Sequence, residues 1–165
     1  MLVHLTVCGQ LPVWVCISSQ ASGVSVNPYC IQAFNEIKLK HLYRYIVYAL
    51  TEDLTQIEVR KTAPPTATYD EFVEELIEAE NLQQCRYGVY DAEYELKDGQ
   101  KRNKLVFFLW SPECAKIKQK MVYTSSKDAL KRALVGIGKD LQACDHGDLA
   151  WTNVLELCLR SEVAQ

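Results

Sequence analysis

The sequence predicts an α/β (α+β) fold, a central mixed β-sheet sandwiched by α-helices. Three observations carry this. Short runs of β-branched and aromatic residues interleave with segments whose apolar residues recur every three or four positions. Capping and turn residues separate the two kinds of segment. No internal repeat or linker interrupts them, so the 165 residues make a single domain, a size that buries roughly 70% of its unfolded surface.

Residues 1–20 stand apart, being apolar and β-branched with no Asp, Glu, Lys or Arg. Ser19-Gln20-Ala21 resembles a signal-peptide cleavage site. No basic residue precedes the apolar stretch, however, and Gly9-Gln10 and Pro12 interrupt it. The expectation is a disordered extension, with the domain occupying 21–165. No run reaches the roughly 18 apolar residues of a membrane span.

Asn27-Pro28 supplies a cap and an N1 proline, and Ile31, Phe34, Ile37 and Leu39 follow at roughly helical spacing. Strands are expected over Leu42 to Leu50 and Gln56 to Thr62, with Glu52-Asp53 as the turn between them. Ala63-Pro64-Pro65 ends the second. Thr68 caps a short acidic helix with Phe72, Val73, Leu76 and Ile77 on its apolar side. Arg86 to Leu96 and Lys104 to Trp110 form two more strands, joined by a tip at Lys97-Asp98-Gly99. Ser111-Pro112-Glu113 has the cap, N1 proline and first-turn acid of a helix start, and this helix runs to about Ile137. A short strand near Leu149 to Trp151 and a helix from Thr152 to about Ser161 close the chain.

Composition narrows the function. The chain is 48% apolar and 24% charged with a net charge of −3, which gives no general attraction to nucleic acid. Its seven cysteines (8, 16, 30, 85, 114, 144 and 158) are scattered and form no C-x-x-C, so they read as buried free thiols. His4, His41 and His146 have no metal-ligand spacing. Neither a metal site nor a cofactor is expected. No G-x-S-x-G, P-loop or His/Cys pairing supports an enzyme.

The segment from Pro112 to Ile137 carries most functional information. At about 100° per residue, Lys116, Lys120, Lys127 and Lys131 fall in one narrow stripe, with Lys118 away from it. Ile117 and Met121 lie to one side, and Leu130, Leu134 and Ile137 to the other, roughly 150° away. A straight helix on a sheet buries one apolar face. Either the helix bends near Thr124-Ser125-Ser126, where Ser125-x-x-Asp128 has capping-box form, or Ile117 and Met121 stay exposed. An exposed apolar knob bordered by lysines suits an acidic protein partner.

Lys104 to Glu113 (KLVFFLWSPE) and Lys118 to Leu134 (KQKMVYTSSKDALKRAL) closely resemble the ADF/cofilin signature. Ala21 to Val26 (ASGVSV) resembles the start of those proteins, and Tyr87 to Gly99 their hairpin. The resemblance spans about 22–161. It implies an actin-depolymerising-factor-homology fold, binding to monomeric and filamentous actin, and promotion of filament severing and depolymerisation without covalent catalysis. A coactosin-like or glia-maturation-factor-like relative, binding filaments or branch junctions without severing, is the alternative.

Carried over by the same resemblance, Ser22 is a regulatory phosphorylation site and, with Gly23, an actin contact. Lys118, Lys120, Met121, Lys127, Asp128, Lys131 and Arg132 are contacts of the long helix with actin, and Arg102, Lys104, Glu156 and Arg160 contact filaments. Phosphoinositides are implied as competitors for the lysines, and the expected state is a cytoplasmic, cytoskeletal monomer. The sequence departs from the family at Leu157, where some members carry a base. Lys139 replaces the histidine that makes vertebrate members pH-sensitive, and their basic nuclear-import cluster is missing.

Overall fold

The structure is a computed structural model describing residues 23–162, which form six strands and four helices. The first helix, α1 (Pro28–Lys40), starts as its sequence dictates: the Asn27 side chain accepts from the Tyr29 N–H at 2.9 Å. Its inward face is Cys30, Ala33, Phe34 and Ile37. Leu39, expected on that face, is 71% exposed, because Ile37 already completes the stripe. The second helix, α2 (Tyr69–Asn81), opens on a full capping box between Thr68 and Glu71 and buries Phe72, Leu76 and Ala79.

Strand β1 (Ser25–Val26) pairs parallel with β3 (Gln56–Ala63), which pairs antiparallel with β2 (Tyr45–Leu50). Strand β2 continues antiparallel to β4 (Arg86–Glu95), and β4 to β5 (Lys101–Trp110). Strand β6 (Lys139–Ala143) closes the far edge parallel to β5, so the order is β1-β3-β2-β4-β5-β6. The two-residue period sends alternate side chains to opposite faces. Phe107 and Leu109 join α1 and the third helix, α3 (Ile117–Ala133), in one core. Val106, Phe108 and Trp110 join α2 and the last helix, α4 (Trp151–Arg160), in the other. The mixed sheet sandwiched by helices is therefore observed.

Three expectations fail, each for a local reason. Ser111-Pro112-Glu113 does not start α3. The Ser111 N–H instead donates to Ala143 O at 2.9 Å, prolonging the β5–β6 ladder, and Pro112 O closes a turn on Ala115 N at 3.0 Å. The helix begins at Ile117, with Lys116 at its cap position and no side-chain cap. It ends at Ala133, leaving Ile137 in the following loop. Leu149 to Trp151 is no strand: Asp145 and Asp148 exchange side-chain and backbone hydrogen bonds in a turn that delivers Trp151 to α4. The last strand lies earlier, at β6, where Lys139, Asp140 and Gln142 mask the pattern. Strand β1 was not foreseen, being two residues long.

Ser22 and the segment 1–20 lie outside the described residues. Among the described residues no helix is long and apolar enough to cross a membrane, and no group of three or more His, Cys, Asp and Glu could hold a metal ion. Cys30, Cys85 and Cys158 are buried free thiols, whereas Cys114 and Cys144 are exposed, both lying in turns just after strand ends.

Candidate functional site

Helix α3 resolves the choice posed by its two apolar groups. It runs unbroken from Ile117 to Ala133. The residues that hold it down are Tyr123, Ser126, Ala129, Leu130 and Ala133, all buried and spaced as one helical face. Tyr123 is the anchor that aliphatic residues alone do not reveal. Its hydroxyl accepts from Leu50 N at 2.9 Å, and its carbonyl accepts from the buried Tyr87 hydroxyl. Ser125, expected to open a second helical segment, donates to Val122 O at 3.1 Å within the same helix. With that face buried, Ile117 and Met121 point outward, 78% and 67% exposed. They are the apolar knob.

Lysines surround the knob. Lys116 and Lys118 are exposed. Lys120 is partly covered and reaches back to Glu113 O at 2.8 Å, fastening the first helical turn to the loop before it. One to two turns on, Lys127 and Lys131 share the Asp140 carboxylate at 3.1 and 3.3 Å. Partial burial pushes the Asp140 carboxyl up, but the two ammoniums outweigh it and hold it below its usual range. Arg132 is exposed, and its Nε donates to the backbone carbonyl of exposed Asp128 at 3.2 Å. Lys118 sits off the lysine stripe on a continuous helix, so a partner touching all of these residues must wrap around α3. Val24 packs in the same core cluster as Tyr123 and Leu130. This brings exposed Gly23, in the left-handed region at φ 68°, beside the α3 layer.

A second group forms where the start of β5 meets the end of α4. Arg102 is exposed and donates to Gln100 Oε1 at 3.0 Å. Glu156 and Arg160, both exposed, form an ion pair at 2.5 Å one turn apart on α4. Lys104 lies between these strands and helix but is not a free charge. Its ammonium donates to Glu162 at 2.6 Å, to Cys158 O at 3.3 Å and to the Ser161 hydroxyl, and it lies 5.8 Å from the centre of the Tyr94 ring. Tyr94 donates to the same Glu162 carboxylate at 2.9 Å. Burial opposes the Lys104 charge, yet Glu162 and Tyr94 outweigh it and raise the ammonium above its ordinary value. The Lys104 and Tyr94 hydrogen bonds correspondingly hold Glu162 below the usual range. Lys104 is thus a brace from β5 to the end of α4. Leu157, where a base was a possible occupant, is partly buried against the core.

The chain as a whole is similar to known proteins. The cofilin/tropomyosin-type actin-binding protein family matches residues 23–159. The chain belongs to that family. It is 47% identical over 141 residues to a cofilin from Mycosarcoma maydis, covering 86% of this chain and 98% of that protein. It is 42% identical over 135 residues to actophorin from Acanthamoeba castellanii, covering 82% of this chain and 94% of that one. In three dimensions it resembles the crystal structure of Streptomyces griseoflavus cofilin, with a TM-score of 0.73 and 42% identity over 81% of this chain and 96% of that chain. The family match takes in the whole α3 group and, of the second group, Arg102, Lys104 and Glu156.

Asp140, Tyr94 and Glu162 are the members of these groups that sequence reasoning missed. Asp140 becomes legible only once β6 is placed beside β5. Glu162 becomes legible only once Lys104 is seen to face α4.

Proposed function

We propose that this chain binds actin monomers and filaments and promotes filament severing and depolymerisation, by binding alone and without covalent chemistry. The observation that carries the reading is the exposed Ile117–Met121 knob within a lysine border on a helix whose other face is fully committed to the core. Exposed apolar anchors supply affinity, and the surrounding ammoniums steer an acidic partner and fix its register. Gly23, Lys118, Lys120, Met121, Lys127, Asp128, Lys131 and Arg132 make up the proposed surface for monomer and filament. Arg102, Glu156 and Arg160, braced by Lys104, make up a proposed second surface used on filaments.

The test reverses charge beside the knob. Lys118→Glu with Lys120→Glu leaves the buried face of α3 untouched, so the variant should fold and lose monomer binding. Charge pairs desolvated at an interface can cost about 2–5 kcal/mol each when broken. Unchanged affinity of the folded double variant for monomeric actin rejects the site.

Regulation belongs to the same reading. Phosphate at Ser22 adds nearly two negative charges next to Gly23 and opposes an acidic partner, so Ser22→Asp should sever poorly. A Ser22→Asp protein severing like the parent rejects that switch. Phosphoinositides, being anionic, compete for the α3 lysines. The working form is a monomer at the cytoplasmic actin cytoskeleton, comprising a domain over 21–165 preceded by the 1–20 extension.

A further inference from the structure

The Asp140 carboxylate joins two lysines of α3 to a different element. Lys127 and Lys131 lie four residues apart on one helix, where like charges repel. Their side chains are only 19% and 29% exposed, and both ammoniums bond the single Asp140 carboxylate, one oxygen each. Asp140 belongs to β6 and stands in register with Phe107, on the sheet face that α3 covers. The pin therefore fixes the two lysines relative to the sheet, and through the unbroken helix relative to Ile117 and Met121. Asp128, adjacent to Lys127, does not do this, since Arg132 takes only its backbone carbonyl.

We propose that Asp140 is a positioning residue for actin binding: its carboxylate holds the Lys127 and Lys131 ammoniums side by side as a pre-ordered pair. The proposal rests on the reading of α3 as the actin-contacting helix. An ammonium has three donors, so each lysine bonded once to Asp140 keeps two for a partner. Ordering a long side chain during association costs affinity, and a pair ordered beforehand avoids that cost. The carboxylate also subtracts one unit of positive charge from the surface that an acidic partner approaches. Asp140 thus slows encounter slightly and strengthens the complex once formed.

These two effects have opposite kinetic signs. In Asp140→Asn, association with monomeric actin should quicken by about two-fold at low ionic strength, from the added net positive charge. Dissociation should quicken by about five-fold or more, from two lysines that must be ordered anew. Asp140→Glu, which keeps a carboxylate, should recover most of the slow dissociation. A merely weakened fold lowers the active fraction and does not speed association.

The experiment measures both rate constants by stopped flow for the full chain and both variants, at low and near-physiological ionic strength. Side-chain ammonium NMR of the free protein accompanies it, with exposed Lys118 as the mobile reference. The expected result is restrained Lys127 and Lys131 ammoniums that loosen in the Asn variant together with faster association and dissociation. Restrained ammoniums with unchanged rates in Asp140→Asn would overturn the proposal alone. Ammoniums as mobile as that of Lys118 would also overturn it. Failure of the unmodified chain to associate with actin would overturn the actin reading, and the proposal with it.

Discussion

Burial sorts the cysteines into two chemistries. The Cys30 thiol is pushed up to about 12, mainly by burial and further by the Glu58 carboxylate, and its sulfur faces Ile57 O at 3.4 Å. Burial also raises Cys85 and Cys158. The thiolate is the reactive form, so in the native protein an alkylating reagent should modify Cys114 and Cys144 while sparing these three. Peptide mapping after brief iodoacetamide treatment checks it, and rapid labelling of Cys30 would contradict the packing of α1 on β3. Residue identity made the thiol state legible but not the exposure of Cys114 and Cys144, which depends on where strands end. Two carboxylates give a second residue-scale prediction. Asp140 and Glu162 are held below their ordinary values, so the unfolded chain binds their protons more readily than the folded one. Their contribution to stability should be complete above the ordinary carboxylate pKa of about 4 and fade as pH falls through the lower folded values. Carboxyl-carbon NMR titration should find both midpoints below the ordinary carboxylate value of about 4.

Among the elements, helix α2 and the β4–β5 hairpin were the most legible, because the Thr68 cap and the Lys97-Asp98-Gly99 tip are local signals with local consequences. The start of α3 was not, although Ser111-Pro112-Glu113 has every local feature of one. A hydrogen bond to Ala143, distant in sequence, overrides them. Strand β6 was illegible for a related reason: its polar residues make sense only beside β5. Helix α2 sits unusually close to the sheet, since a Cβ added at Gly88 would lie 2.6 and 2.7 Å from two atoms of the Phe72 ring. Gly88→Ala should therefore cost about 1–3 kcal/mol, as overpacking does. Adding Phe72→Leu should recover part of it, and urea denaturation of the single and double variants measures both. Loss of stability unaffected by the second change would place the strain elsewhere.

For the whole molecule, the two residue groups sit on different elements, α3 with Gly23 on one side and the β5–α4 corner on the other. Arg102→Ala with Arg160→Ala should weaken filament co-sedimentation and severing much more than monomer binding, because neither change touches α3. Equal losses in both assays would mean one continuous surface. The overall architecture was legible because periodicity and capping suffice to name helices and strands. The pairing order was not, because it depends on contacts between distant segments. That order has a consequence for how the molecule assembles and breathes. The β2–β3 and β4–β5 pairs are hairpins whose partners are close in sequence, whereas β1–β3 and β5–β6 join segments far apart. Loop closure must precede the reward of such distant pairings, so the two hairpins form early, and the parallel edges form late together with the β2–β4 seam, whose partners are also far apart in sequence. Strands β2 and β4 are buried and paired on both sides, so amide hydrogen exchange should be slowest along them and fastest at the edge strands β1 and β6. Asp140 lies on β6 and Gly23 just before β1, which places the face proposed to meet a partner beside the strands that open first.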